Sequence, residues 1–256
     1  MIVAIDGPAG SGKSSVSRLV ALHTGLVYID SGALCRSVAY ATLNSQSLGD
    51  ARGTTCNAAE VAQNIVVSFG AIEPHTLQQQ VLLDRHDVTH AIRTPEIDEQ
   101  ASIVAQNAEV RDILTKKMHA MAKESNCIVE GRDIATVVFP HADLKIFLDA
   151  SAEQRAQRRF KQSSSHVNEK ALSNNGEKMD VRAATSGDGN ATDDERLKQL
   201  LISIKERDRL DKTRDVAPLV TADDAIVIET DDLDQNAVAA IIIDRINDLM
   251  CASERN

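Results

Sequence analysis

The chain has 256 residues, a formal net charge of −10 and a pI of about 5.2. Hydrophobic residues make up 43% of the chain, aromatic residues only 2%, and tryptophan is absent. An acidic chain argues against general binding to nucleic acid or membranes, and the scarcity of aromatic rings argues against base-stacking platforms. We expect a single core of Ala, Val, Ile and Leu in α/β layers.

The four cysteines show no C-x-x-C spacing; they are Cys35, Cys56, Cys127 and Cys251. The N-terminus begins as a strand and does not have the pattern of a charged leader. These features predict a reduced, cytoplasmic setting without structural zinc. No stretch approaches about 18 uninterrupted apolar residues, so we expect no membrane-spanning helix.

The first predicted element is a strand over residues 1–6, which leads directly into GPAGSGKS at residues 7–14. This segment matches the phosphate-loop pattern G-x-x-x-x-G-K-[ST], in which glycines let backbone N–H groups surround an anion. The pattern predicts a nucleoside triphosphate site with Mg²⁺ held by Ser14, and an ordinary glycine-rich turn is the alternative. The predicted donor-site residues are Gly7, Pro8, Ala9, Gly10, Ser11, Gly12, Lys13, Ser14 and Ser15.

A helix over residues 14–24 and a buried strand over residues 26–29 are predicted next. The strand runs into DSGALCR at residues 30–36. Ser31 and Arg36 would therefore lie at the carboxyl end of a strand, where open α/β sheets bind ligands. The alternative for Arg36 is a solvent-facing charge on a helix.

The periodicity weakens over residues 45–94, with candidate strands at residues 65–69 and 80–83. This part of the chain predicts a small insertion that closes over the edge of the sheet. Helical propensity returns over residues 95–121. That helical stretch contains Arg111, which taken alone would be interpreted as a surface residue.

CIVEGRD at residues 127–133 indicates a strand followed by a loop, where Gly131 permits a tight exit. In a parallel sheet, Arg132 and Asp133 would lie beside the phosphate loop. A further apolar strand is predicted over residues 144–149. Since apolar runs alternate with helices along the chain, we expect an α/β fold with a doubly wound parallel sheet.

A polar segment at residues 162–194 has almost no large apolar residue and is expected to be disordered. Helices are predicted on either side of it, over residues 151–161 and 195–211. Their arginines include Arg155, Arg158, Arg159, Arg207, Arg209 and, just beyond the second helix, Arg214. Two arginine-bearing helices around a flexible segment predict a hinged lid, and two solvent-facing helices joined by a loop are the alternative.

A last strand over residues 225–230 and an amphipathic helix over residues 234–250 complete the predicted core. Four isoleucines of this helix are expected to face the sheet, namely Ile241, Ile242, Ile243 and Ile246.

Taken together, these motifs resemble the bacterial cytidylate kinases over nearly the whole chain. The matching pieces are IDGPAGSGKS at 5–14, DSGALCR at 30–36, IRTPE at 92–96, GRDIATVVFP at 131–140, KIFLDAS at 145–151 and KERDRLDKTRDVAPL at 205–219. The phosphate loop alone indicates only a nucleotide site, whereas these pieces in this order are specific to the family.

The resemblance implies a cytoplasmic, monomeric enzyme that transfers a phosphoryl group from ATP, with Mg²⁺, to CMP or dCMP. It implies one P-loop kinase domain over residues 1–256, with a monophosphate-binding insertion at 45–94 and a lid at 152–206. It implies an acceptor site formed by Ser31, Arg36, Ser102, Arg111, Arg132, Asp133, Arg207, Asp211 and Arg214. Within that site, the resemblance implies that some of Ser102, Arg111 and Asp133 read cytosine and that Asp211 binds the ribose. The implied catalytic cations are Lys13, Arg132, Arg155 and Arg159.

Two features depart from the family pattern. Cys35 stands where a tyrosine is expected, which removes an aromatic ring near the monophosphate, and the segment at residues 162–194 is longer than the expected lid.

Three other functions compete with this interpretation. A signalling GTPase would need an Asn-Lys-x-Asp or Thr-Lys-x-Asp guanine motif, which does not occur. A kinase for uridylate, adenylate or shikimate would share the mechanism, and a non-catalytic nucleotide-binding module would share only the loop.

Overall fold

The central sheet of the protein is parallel and has helices on both faces. The computed structural model describes residues 1–47, 57–161 and 192–253. The sheet contains β1 (Ile2–Asp6), β2 (Val27–Asp30), β6 (Cys127–Glu130), β7 (Leu144–Asp149) and β8 (Ile226–Glu229). Their order is β2-β6-β1-β7-β8, and every neighbouring pair is parallel. This arrangement confirms the doubly wound α/β fold.

The strands are apolar on both sides because both faces of the sheet are covered. On β1, Val3 and Ile5 contribute to the core on the side of α1 (Lys13–Thr24) and α8 (Gln235–Ser253). The intervening Ala4 faces the opposite core, which includes α2 (Ser31–Ser47) and α5 (Ala108–Ala122). This alternation follows from the two-residue period of a strand.

A three-stranded antiparallel sheet lies between α3 (Ala58–Asn64) and α4 (Pro95–Val104) in the chain. It consists of β3 (Val67–Ile72), β4 (Gln79–Leu83) and β5 (His86–Asp87). The strand expected at residues 65–69 therefore begins two residues later and runs further. Sequence periodicity did not predict α3, whose start is capped by the Asn57 side chain accepting the Ala59 N–H. Residues 48–56 of the expected insertion lie outside the described residues.

The helical stretch expected over residues 95–121 is divided into two helices. A 3₁₀ turn at Ala91–Arg93 leads into α4 (Pro95–Val104), and α5 follows after a short turn. Asn107 causes the new start, since its side chain accepts the N–H groups of Glu109 at 3.0 Å and Val110 at 3.2 Å.

The second helix of the predicted lid begins earlier than the sequence predicted. Residues 152–161 form α6, and α7 spans Asp193–Thr213. Thr192 caps α7 in a reciprocal capping box with Glu195, and acidic residues occupy the first turn, where they favour the helix N-terminus. Residues 192–194 were expected to be disordered and are instead this capped start. The remainder of that expected segment, 162–191, lies outside the described residues.

Only part of the isoleucine cluster in α8 faces the sheet as expected. Ile242 and Ile246 are fully buried, and Ile243 packs at the edge of the core. Ile241 is 37% exposed, because consecutive helical residues are about 100° apart and three in a row cannot all share a buried face. Among the described helices, none combines the length and apolarity that a membrane crossing requires.

Gly7 should tolerate substitution less well than Gly12. Its φ is +148°, and a Cβ there would lie far inside van der Waals contact of the Leu148 carbonyl oxygen. We expect Gly7→Ala to lower the free energy of unfolding by at least about 2 kcal/mol in urea titrations. Gly12→Ala is the matched control, because its φ is +92° but the space is open, and it should cost only about 1 kcal/mol. Equal losses would contradict the proposed clash.

Candidate active site

The phosphate-loop sequence forms a tight turn between β1 and α1. Gly7, Gly10 and Gly12 all have positive φ, at +148°, +81° and +92°, which glycine adopts most readily. Gly12 caps the N-terminus of α1, whose first residue is Lys13. The turn therefore joins backbone N–H groups to the positive end of a helix, as an anion site requires.

Lys13 lies inside this turn and is only 5% exposed. Its Nζ donates to the Pro8 carbonyl oxygen at 2.8 Å and to Ser11 Oγ at 3.4 Å. Burial and then the charge of Arg132 hold the pKa of Lys13 well below its ordinary value. Because a nearby anion would reverse that shift, this cation is suited to binding a phosphate.

Ser14 contacts a buried carboxylate that the sequence analysis did not identify as functional. Its Oγ donates to Glu130 Oε1 at 2.6 Å, and Glu130 ends β6 beside β1. Glu130 Oε2 is buried and has no hydrogen-bond partner among the described residues. Burial and then the charge of Asp30 raise the pKa of Glu130. Its position after an apolar strand and before Gly131 was the sequence signal available for it.

An open cleft lies beside the loop at the carboxyl ends of β2 and β6. It contains eight of the nine residues predicted for the acceptor site: Ser31, Ser102, Arg111, Arg132, Asp133, Arg207, Asp211 and Arg214. Cys35 also lines it, and burial raises the pKa of that thiol. Residues that are far apart in the sequence thus line the same cleft.

Two arginines converge on Asp133 in this cleft. Arg111 Nη2 donates to Asp133 Oδ2, and Arg214 Nη2 lies 3.4 Å from Asp133 Oδ1. Arg214 Nε also donates to the Ala217 carbonyl oxygen at 2.5 Å. Arg111 Nη1 donates to the Ala105 carbonyl oxygen at 3.4 Å. These contacts fix the orientation of both guanidinium groups.

Arg36 is the acceptor-site candidate that does not line the cleft. Its Nη2 lies 3.2 Å from Asp30 Oδ2, and Arg93 Nη2 lies 4.0 Å from the same oxygen. Burial alone would raise the pKa of Asp30, but Arg36 and then Arg93 outweigh it and lower that pKa. Asp30 also accepts the Ala33 N–H at 2.8 Å, so it caps α2 as well. The sequence DSGA before a helix carried this capping signal, but not the pairing with Arg93.

Arg132 and Arg207 both line the cleft, and the charge of Arg132 acts on Lys13 in the phosphate loop as well as on Arg207. Arg132 Nε donates to Asp211 Oδ2 at 3.0 Å, and its Nη1 donates to the Gly131 carbonyl oxygen at 3.2 Å. Burial and then the charge of Arg132 lower the pKa of Arg207. Such mutual repulsion between guanidinium groups is relieved when an anion binds between them.

The arginines at the base of the predicted lid contact four different parts of the protein. Arg155 is buried and donates to Ala9 O at 3.1 Å and, through both terminal nitrogens, to Asp208 at 2.9 and 2.5 Å. Arg158 donates to the Thr230 hydroxyl at 3.0 Å. Arg159 Nη2 lies 3.6 Å from Asp98 Oδ2 on α4. These contacts connect α6 to the phosphate loop, to α7, to the residue after β8 and to α4.

Asp6 holds the turn that follows Asp133. It ends β1, is 1% exposed, and accepts the N–H groups of Ile134 at 3.0 Å and Ala135 at 2.7 Å. These are the first residues of the short π-helical turn at Ile134–Val138. Burial is the main cause that raises the pKa of Asp6 to about 6.

This raised pKa predicts a pH-dependent loss of stability. Unfolded aspartate ionises near its ordinary pKa of 3.8, so between that pH and about 6 the folded state binds the extra proton. The resulting stabilisation is complete below the unfolded pKa and is lost as pH rises through about 6. Between about pH 4.5 and about pH 7, the free energy of unfolding of the native protein, measured by urea unfolding, should fall by about 2 kcal/mol more than that of Asp6→Asn. A pH-independent difference would contradict this expectation.

The phosphate loop, the parallel sheet and the arginine-lined cleft beside the loop together define a P-loop kinase. The sequence comparisons then give the family. The family model for cytidylate kinase matches residues 3–186 and 176–248, and the chain belongs to this family.

Similar proteins extend over the same length. A cytidylate kinase from Desulforamulus reducens is 39% identical over 242 residues, which cover 94% of each chain. One from Listeria monocytogenes serotype 4a is 38% identical over 94% of this chain and 93% of that relative. A bifunctional pantoate ligase/cytidylate kinase from Synechococcus sp. strain WH7803 is 40% identical over 97% of this chain, which corresponds to 44% of that relative's length.

Proposed function

We propose that the protein transfers the γ-phosphoryl group of ATP to CMP and dCMP, giving ADP and the cytidine diphosphates. The observation that carries this proposal is the gathering of four arginines from separate parts of the chain in one cleft beside the phosphate loop. They are Arg111, Arg132, Arg207 and Arg214. Two nucleotides bring several negative charges together, and converging guanidinium groups offset that repulsion. The names of the relatives support cytidylate as the acceptor.

The loop from Gly7 to Ser15 would bind the β and γ phosphates of ATP through its N–H groups and Lys13. Ser14 and Glu130 would hold Mg²⁺, since hydroxyl and carboxylate oxygens are the ligands this ion prefers. The buried Glu130 Oε2, which lacks a hydrogen-bond partner among the described residues, supports this fit. When bound, the ion supplies positive charge to the phosphate oxygens.

The acceptor would lie in the cleft opposite Lys13. We assign cytosine to a subset of Ser102, Arg111 and Asp133, and the ribose to Asp211. The monophosphate would be bound by the remaining residues that line the cleft, Ser31, Arg132, Arg207 and Arg214. A role of Arg36 at the monophosphate stays a prediction, since Arg36 pairs with Asp30 and does not line the cleft. Arginine suits this task because its planar fork donates two parallel hydrogen bonds to a phosphate.

Transfer itself would depend on positioning and electrostatic stabilisation, so no acid–base pair is required. Lys13 and Arg132 would neutralise the charge on the transferred group. Arg155 and Arg159 stay predicted to contribute from the lid. For Arg155 the contact with Ala9 O supports an action through the phosphate loop.

Several broader assignments stay predictions. They are the division of the chain into a monophosphate-binding insertion at 45–94 and a lid at 152–206, a monomeric state and a cytoplasmic location. For the insertion, the separate sheet β3-β4-β5 supports the assignment.

Initial rates with a panel of acceptors test the proposed function. With ATP and Mg²⁺, we expect kcat/KM for CMP and dCMP to exceed that for UMP, AMP and shikimate by at least about tenfold, as buried polar recognition allows. A higher value for any of the other acceptors would overturn the cytidylate assignment. ATP binding without formation of ADP in the presence of any acceptor would indicate a non-catalytic module.

A further inference from the structure

Gln106 occupies a position in the acceptor cleft that the residue assignments above leave unused. It lies in the turn between α4 and α5, immediately before the Asn107 cap, and lines the cleft with Ser102 and Arg111. It is solvent-exposed at the rim. A polar side chain at the rim of a binding cleft can set specificity without touching the reacting atoms.

The structure fixes which end of the Gln106 amide is available to a ligand. Its Nε2 donates to the Ser102 carbonyl oxygen at 3.1 Å. A carbonyl oxygen can only accept, so this bond defines the positions of the amide nitrogen and oxygen. Among the described residues, no group donates to Gln106 Oε1. The amide therefore offers its oxygen as an acceptor, next to the remaining N–H donor of Nε2.

The neighbouring groups give this wall a definite hydrogen-bonding pattern. Ser102 Oγ donates to the Asp98 carbonyl oxygen at 3.0 Å, so its lone pairs also face outward as acceptors. The hydrogen-bond donors of the wall are those of Arg111 and the second N–H of Gln106 Nε2, which the bond to Ser102 leaves free. This pattern matches cytosine, whose 4-amino group donates while N3 and O2 accept. Uracil has an acceptor oxygen at position 4, which would oppose the acceptor oxygens of the wall.

We propose that Gln106 is a specificity-determining residue, whose Oε1 accepts a hydrogen bond from the 4-amino group of the cytosine base. The inference rests on the proposed function, because it assumes that the base lies against the end of α4. Gln106 has no part in phosphoryl transfer in this assignment. Its role is to favour CMP over a nucleotide with an acceptor at the same position.

A mutant cycle on both protein and ligand tests this contact. Gln106→Met keeps the approximate length of the side chain but removes the oxygen, and the pyrimidin-2-one analogue of CMP lacks only the 4-amino group. Equilibrium dissociation constants are measured for native and variant protein with CMP and the analogue. Loss of the amino group should weaken binding to the native protein about three- to tenfold more than binding to Gln106→Met. A general structural effect of the substitution cancels in this cycle.

Two further variants sharpen the test. Gln106→Glu retains acceptor oxygens and should keep the native preference for CMP over the analogue within about twofold, whereas Lys116→Ala on the exposed side of α5 should change nothing. Additive losses in the cycle, on a native protein that phosphorylates CMP, overturn the role of Gln106 alone. A native protein that does not phosphorylate CMP overturns the proposed function together with it.

Discussion

Replacing Lys13 with alanine is expected to lower kcat for ATP-dependent phosphoryl transfer by at least about a hundredfold, the usual cost of removing one preorganised electrostatic group. The ammonium group is buried inside the glycine turn, and its Nζ is 2.8 Å from the Pro8 carbonyl oxygen. A phosphate in the turn would therefore meet a fixed and largely dehydrated cation. Water cannot replace this charge at the same position.

Steady-state kinetics with saturating CMP measure the effect of Lys13→Ala. Circular dichroism and thermal unfolding report whether the variant keeps the native fold. Lys116→Ala is the matched control, because Lys116 is exposed and pairs with Asp112 one turn away, so its kcat should stay within about twofold of native. Turnover near the native value in a folded Lys13→Ala protein would refute the assigned role of Lys13.

Arg132→Ala is expected to lower kcat by a similar factor of at least about a hundredfold. Arg132 is held by Asp211 on one side and by the Gly131 carbonyl oxygen on the other, so its guanidinium is preorganised in the cleft. Its charge also acts on Lys13, which places it near the phosphate loop. Removal would cost both the cation and the partner of a partly buried carboxylate.

Three variants separate these contributions of Arg132. Arg132→Lys restores charge without the planar fork and should recover only part of the lost kcat. Arg209→Ala tests an arginine on the same helix as Asp211 that is exposed and pairs with Glu206, and it should behave as native. If Arg132→Ala and Arg209→Ala had equal kcat values, the placement of Arg132 at the transferred group would be wrong.

Much of this fold could be predicted because its signals are local. The strands at β1, β6 and β7 are continuous apolar runs, and the phosphate loop is a contiguous pattern with Lys13 at a helix start. Eight of the nine residues that the family resemblance implies for an acceptor site line one cleft, while their role as acceptor residues stays a prediction. In each case the informative residues are adjacent in sequence or linked by the resemblance.

The features that were missed depend on contacts between distant parts of the chain. Glu130 meets Ser14 across 116 positions, and Asp6 orients Ile134 across 128 positions. No local periodicity encodes such pairs, because they arise only when β1 and β6 align in the sheet. The division between α4 and α5 has a local cause, because Asn107 caps the start of α5. The prediction of one helical stretch over residues 95–121 relied on helical propensity and gave this capping signal too little weight.

A bisubstrate ligand tests most directly whether one cleft holds both nucleotides. Adenosine and cytidine joined through their 5′ oxygens by a polyphosphate chain should bind once per protein molecule. That binding should displace ATP and CMP together, as measured by titration calorimetry and competition, and Lys13→Ala and Arg132→Ala should each weaken it. Binding that displaced only one nucleotide, or that occurred twice per chain, would contradict the facing arrangement of the phosphate loop and the arginine cleft.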